Sequence, residues 1–161
     1  MSLTPPPLPP FGKRDPGDAW VEGPDGERYW GRFGAAGLLV WDRNVGVLMQ
    51  HRVSWSHFGD TWGIPGGARK KGETAEMGAL REAKEEARVP PSKLRIIHTS
   101  VLDLEFWSYT TVIAEAIRPF NAVVADRESN ELRWVPVDEV ANLPLHPGFA
   151  AAWPELRGWL R

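Results

Sequence analysis

The stretch that decides the fold is GGARKKGETAEMGALREAKEEARV, residues 66–89. It opens on a glycine pair, passes three cations (Arg69, Lys70, Lys71) and a further glycine, Gly72, and then runs from Thr74 to Arg88 with no proline and only Gly78. Ala, Glu, Lys and Arg dominate that run, Thr74 suits an N-cap, and Pro90-Pro91 cannot continue a helix, so one helix is predicted over 74–88. At about 100° per residue, Glu82, Glu85 and Glu86 share an arc of about 100°, with Met77, Leu80, Ala83 and Ala87 expected on the opposite, buried side. Between Glu73 and Glu86 five glutamates face only Arg81 and Lys84, a local −3 in a chain whose total is −2. Like charges three and four residues apart repel by roughly 0.2–0.5 kcal/mol per pair, and Lys84 points away from the arc. A solvated acidic face is one reading. The other is a site for a hard divalent cation, which takes oxygen ligands and is shared with substrate phosphates.

The loop before the helix nearly imitates a phosphate-binding Walker A loop, through Gly67, Gly72 and Thr74. Glu73 stands where that motif needs lysine, a charge of the wrong sign, so the motif is excluded. What is left is a glycine-rich turn that brings backbone groups and three cations to the mouth of an acidic helix, a combination suited to a metal-bound polyphosphate.

Gly67, five residues, Glu73, seven residues, then Arg81-Glu82-Ala83-Lys84-Glu85-Glu86 and finally Val89 resembles the Nudix box, G-x5-E-x7-R-E-U-x-E-E-x-G-U with U aliphatic. Trp62-Gly63-Ile64-Pro65-Gly66 is similar to the usual lead-in, and the order of strands extends the resemblance over about 35–145, nearest the MutT-like branch. One position departs, since Arg88 occupies the place of the glycine that ends the helix. The resemblance implies an α/β fold, a Nudix-type α/β/α sandwich with a mixed central sheet. It implies hydrolysis of the pyrophosphate linkage in nucleoside diphosphate derivatives (a nucleoside triphosphate, ADP-ribose or similar) by metal-activated water, with Mg²⁺ as cofactor and Mn²⁺ as substitute. By position, Glu82, Glu85 and Glu86 form the metal shell, Glu82 is also a candidate base, the Gly66 carbonyl is a further ligand, and Arg81 holds Glu73. The family often recruits another carboxylate from the loop before the penultimate strand, where Glu128 and Glu131 stand; Glu128 is favoured. Trp134 is a candidate for stacking on a base, against the plainer use of a core aromatic. Arg52 and Arg69 are candidate phosphate contacts, or surface charges. The competing reading is a catalytically silent nucleotide-binding module, whose expected mark, a broken glutamate set, is missing here. The related isopentenyl diphosphate isomerase needs a cysteine, and this sequence has none.

The remaining text fits one soluble α/β domain. Trp20–Glu22 and Arg28–Trp30 flank a Gly-Pro-Asp-Gly turn, 37–41 and 45–50 read as a buried hairpin, 53–72 as loop, 94–104 and 106–117 as strands, and 132–135 as a last strand. Short helices are expected near 137–142 and 148–158. Six of the 15 prolines fall in the first sixteen residues, so 1–18 is expected to be a disordered leader ahead of a single domain over 19–161. With no cysteine, no long apolar run, no secretory pattern and no basic excess, the expectation is a cytoplasmic protein acting on a small nucleotide, without membrane or nucleic-acid polymer as partner. Monomer and homodimer both remain open.

Overall fold

The computed structural model describes residues 15–54, 58–125 and 129–161. Strands β1 (Trp20–Glu22) and β2 (Arg28–Trp30) form a separate antiparallel hairpin, as the turn residues predict. The main sheet contains β3 (Ala35–Asp42), β4 (Gly46–Arg52), β5 (Trp62–Gly63), β6 (Gly66–Ala68), β7 (Leu94–Asp103), β8 (Ser108–Ala116) and β9 (Ser129–Val135). Its path runs β5-β4-β3-β8-β7, with β6 added to β3 and β9 to β4. The β3–β8 pairing is parallel and the others antiparallel, so the sheet is mixed. The chain also contains helix α1 (Ala75–Ala87), helix α2 (Pro147–Arg157) and two 3-10 turns, Pro91–Lys93 and Val137–Asn142. Among the described residues no helix is long and apolar enough to cross a membrane.

How β3 and β4 part company positions the site. Their hairpin is paired at Trp41↔Val47 and Asp42↔Gly46. Further along, β4 turns to β5 and β9, while the first half of β3 takes β6 through Ala35↔Ala68, Ala36↔Gly67 and Gly37↔Gly66. The sheet therefore opens between the Gly66-Gly67 loop and the Gln50–Arg52 end of β4. Residues 53–72, expected to be loop, thus contain two strands. Each is only two or three residues long, too short to show alternation, and glycine-rich.

Alternate residues of the strands face opposite layers. Ala36, Leu38, Val40, Leu48, Val112 and Ala114 pack against Ala79, Ala83 and Ala87 of α1. Leu39, Trp41, Val47, Met49 and Ile113 join Trp62, Ile64, Phe149, Trp153 and Leu156 beneath α2. This is the α/β/α sandwich expected from the resemblance. The helical wheel needs one correction. Met77, expected inside, is 58% exposed, because the face with the smallest side chains approaches the sheet most closely. The alanine stripe becomes the buried arc, and Glu86 lies at its border, only 5% exposed.

The ends of α1 follow from the sequence. Thr74 Oγ1 accepts from the Met77 amide at 3.1 Å, an N-cap worth about 1 kcal/mol. At the other end Arg88 adopts the left-handed conformation (φ 58°, ψ 32°) that glycine would adopt without strain, at a cost of roughly 1–2 kcal/mol. Its amide donates to the Lys84 carbonyl and that of Val89 to Ala83, closing the last turn. Arg88 thus ends α1 in the left-handed cap conformation ordinarily taken by glycine. Most of the expected leader lies outside the described residues; Asp15 itself accepts from the amides of Gly17 and Lys71.

Candidate active site

Arg81 is the hub of the acidic helix. Its Nε and Nη2 donate to the two carboxylate oxygens of Glu73 at 2.8 and 3.0 Å, and Nη2 also reaches the Ala68 carbonyl at 3.1 Å. Nη1 donates to Glu82 at 2.7 Å and to Glu85 at 3.2 Å. One guanidinium therefore ties the loop, β6 and the acidic face of α1 together, a fork that lysine cannot reproduce. Burial alone would push Arg81 below its ordinary value, but the hydrogen bonds and charges of Glu73 and Glu82 outweigh it and hold it higher. Glu73 is held below the usual carboxylate value, chiefly by the hydrogen bond from Arg81 and against the effect of burial.

Glu82 folds back over the loop. A Cβ on Gly67 would lie 2.8 Å from its carboxyl carbon and 2.9 Å from both oxygens, so the side-chain-free Gly67 makes the room. Glu86 reaches the neighbouring residue, with Oε2 accepting from the Gly66 amide at 2.9 Å. Its other oxygen lies 3.4 Å from Nε2 of Gln50, which also donates to Ser129 Oγ. Glu85 is the exposed member, its side chain 55% accessible. Among the described residues no three Asp, Glu or His side chains form a ready-made metal cluster. The position between Glu82 and Glu85 is held by the positive Nη1 of Arg81.

The structure thus brings Gly66, Glu73, Arg81, Glu82, Glu85 and Glu86 together, and leaves other sequence candidates elsewhere. Arg69 bonds the Glu73 carbonyl through Nε and Nη2 at 3.2 and 2.9 Å, bracing the loop. Trp134 packs edge-on against Phe120, ring centroids 5.6 Å apart, and sits opposite Leu48, two β4 positions from Gln50. Arg52, on the Gln50 face of β4, ends that strand at the opening of the sheet. Glu131 pairs with Arg133 at 3.0 Å and sits opposite His51, so it faces the α2 layer. Glu128 lies outside the described residues.

Sequence reasoning missed Gln50, Ser129 and Tyr109. Gln50 is 2% exposed and ends the apolar run Val47-Leu48-Met49, so an amide on the inward face of a buried strand was the available signal. The Tyr109 hydroxyl sits where a Gly37 side chain would begin and close to Gly66. Burial, with the charges of Glu86 and Glu82, pushes its phenol well above the ordinary value, so it remains a proton donor.

The NUDIX domain profile matches residues 31–156, a span that includes this whole cluster. This chain is a Nudix hydrolase. It is 51% identical over 154 residues to "Putative 8-oxo-dGTP diphosphatase 3" of Mycobacterium tuberculosis, covering 89% of this chain and 70% of that protein. It is 41% identical over 157 residues to a nucleoside triphosphate pyrophosphatase/Nudix hydrolase fusion protein of Bifidobacterium longum, covering 91% of this chain and 32% of the fusion. The crystal structure of the Nudix hydrolase RenU from M. smegmatis superposes with a TM-score of 0.81 at 50% identity, over 88% of this chain and 94% of that one.

Proposed function

We propose that this Nudix hydrolase cleaves the pyrophosphate linkage of a small nucleotide in a Mg²⁺-dependent reaction, with 8-oxo-dGTP as the first substrate to test. The observation that carries the reading is the placement of Glu82 and Glu86 against Gly67 and Gly66, with Glu85 tied to Glu82 through Arg81. The donors fit the metal. All are oxygens, as Mg²⁺ requires, and Arg81 Nη1 takes one oxygen of Glu82, Oε1, and one of Glu85, Oε2. Glu82, Glu85, Glu86 and the Gly66 carbonyl would hold the ion, with Glu128 as a further carboxylate. Its described chain neighbours support that addition, because the Ala125 amide donates to the Glu86 carbonyl and Ser129 is bonded to Gln50. When bound, Mg²⁺ or Mn²⁺ lowers the pKa of a coordinated water and neutralises pyrophosphate oxygens.

The chain's own groups do the rest. Glu82 accepts the proton of the attacking water as its oxygen bonds to phosphorus and the anhydride P–O bond breaks. Arg81 keeps Glu73, Glu82 and Glu85 in register. Arg52, at the open end of β4, faces the substrate phosphates. The choice of 8-oxo-dGTP rests on the name of the M. tuberculosis relative. The test is release of phosphate or pyrophosphate from a panel of 8-oxo-dGTP, ordinary dNTPs, ADP-ribose and dinucleoside polyphosphates, with and without Mg²⁺. Turnover that requires the ion and favours 8-oxo-dGTP is expected. No turnover of any member with Mg²⁺ or Mn²⁺ refutes the reading, and preference for another member replaces the substrate alone.

A further inference from the structure

We infer that Gln50 is a positioning residue that holds the Glu86 carboxylate in the orientation in which it binds a divalent cation; this rests on the reading of Glu86 as a metal ligand given above. Gln50 is 2% exposed, Glu86 5% and Ser129 6%, so the three form a buried polar group beneath α1. A buried amide is costly unless its hydrogens are used, and the two hydrogens of Nε2 have two receivers here: Glu86 Oε1 at 3.4 Å and Ser129 Oγ. Glu86 Oε2 takes the Gly66 amide at 2.9 Å, and the Glu86 carbonyl takes the Ala125 amide at 2.9 Å. The last torsion of a glutamate is broad, so a carboxylate held at one oxygen would still swing. Bonded by the Gly66 amide at 2.9 Å and met by Gln50 at 3.4 Å, it has a donor at each oxygen.

The choice of an amide is chemically specific. A lysine or arginine at this place would also orient the carboxylate, but it would neutralise the charge a cation needs. A neutral donor fixes the group and leaves the charge. A carboxylate has about four acceptor sites, so two donors leave about two for a metal ion. The position also accounts for a buried polar residue at the end of the apolar run Val47-Leu48-Met49.

The test is binding of Mn²⁺ alone to the full chain, read as free Mn²⁺ by electron paramagnetic resonance, so that it does not depend on turnover. Wild type is compared with Gln50→Met, which keeps length without a donor, and with Gln50→Leu as a second variant should the first not fold. Ser129→Ala removes the other partner of the amide, and Glu86→Gln removes the ligand itself. The expected result is a 10–100-fold weaker Mn²⁺ affinity in Gln50→Met, the range for partners that orient ligands, with Ser129→Ala within threefold of wild type. A Gln50→Met protein that binds Mn²⁺ like wild type, while Glu86→Gln does not, overturns the inference and leaves Glu86 as ligand. Equal loss in Ser129→Ala also overturns it, because the amide then acts through Ser129. A Glu86→Gln protein that binds Mn²⁺ as wild type does overturns the underlying reading instead.

Discussion

Gly67, in β6, and Gly72, in the turn that follows it, lie five positions apart and serve opposite purposes, which makes them a paired test of how Glu82 is placed. Gly67 has no positive φ, so its backbone accepts alanine. The added Cβ, however, would lie 2.8 Å from the Glu82 carboxyl carbon and 2.9 Å from its oxygens, where ordinary contact begins at 3.4 Å. Glu82 must then retreat by roughly 0.6 Å or more, and a misplacement near 1 Å can cost about 10²-fold in rate. The side chain can move, so the fold loses little, and alanine restricts the unfolded chain by about 0.4–1 kcal/mol. Gly67→Ala is expected to lower kcat about 10–100-fold with Tm unchanged or slightly raised. Gly72 has φ +77° and nothing within 4 Å of its missing Cβ. Gly72→Ala therefore adds about 1–2 kcal/mol of backbone strain, or a fall of about 2–8 °C in Tm, and leaves kcat alone. The assay is steady-state hydrolysis of the preferred panel substrate at saturating Mg²⁺, with calorimetric Tm on the same samples. Wild-type kcat in a stable Gly67→Ala protein would refute the argument that the position of Glu82 matters.

Other consequences follow from the same contacts. Arg81→Lys loses the two-pronged bond to Glu73 together with the reach to Ala68 and Glu82, and is expected to lower kcat about 10–100-fold with unchanged far-UV circular dichroism. Because Glu73 is held below its ordinary 4.5, its stabilisation is complete above about that pH and is lost as pH falls through the lowered value. Thermal melts between pH 6 and 2 should therefore fall more steeply for wild type than for Glu73→Gln; parallel curves would remove Glu73 from the account. Arg88→Gly relieves the left-handed strain, offset in part by the freedom of glycine in the unfolded chain, for a net gain of up to about 1 kcal/mol and about 2–4 °C in Tm. Arg88→Val should move Tm the other way, and equal Tm values for the two would contradict the left-handed helix end.

The parts of the fold that sequence made legible are those with a period or a punctuation mark. The helix announced itself by Thr74 at one end and Pro90-Pro91 beyond the other, and β3, β4, β7 and β8 by their apolar runs. β5 and β6 were hidden because a strand of Gly66-Gly67-Ala68 has no side-chain pattern; it exists only because β3 offers it an edge. On α1, Ala83 and Ala87 were expected inside and are, but Met77 was misplaced for a related reason. Hydrophobicity favoured Met77, but close packing favoured the alanines, and only the sheet decides which face it receives. At the site, spacing located the charged residues, since charge is visible in a sequence. It could not show that one arginine binds three of the glutamates, nor that Gln50, from a strand 36 residues earlier, reaches Glu86. Trp134 illustrates the same limit, because its edge-on contact with Phe120 cannot be read from the sequence.

We expect hydrolysis to depend on an ion held by the buried Glu86 carboxylate at the border of α1. The most direct test is kcat of Glu86→Gln at saturating Mg²⁺ on the preferred panel substrate, with near-UV circular dichroism to show that the tryptophan-rich core is intact. Glutamine keeps the shape and can still accept the Gly66 amide at 2.9 Å, but it removes the charge. A folded protein with kcat lowered by about 10²-fold or more is the predicted result, beyond the range for residues that merely orient a ligand. A folded Glu86→Gln protein that turns over substrate at the wild-type rate would contradict the account.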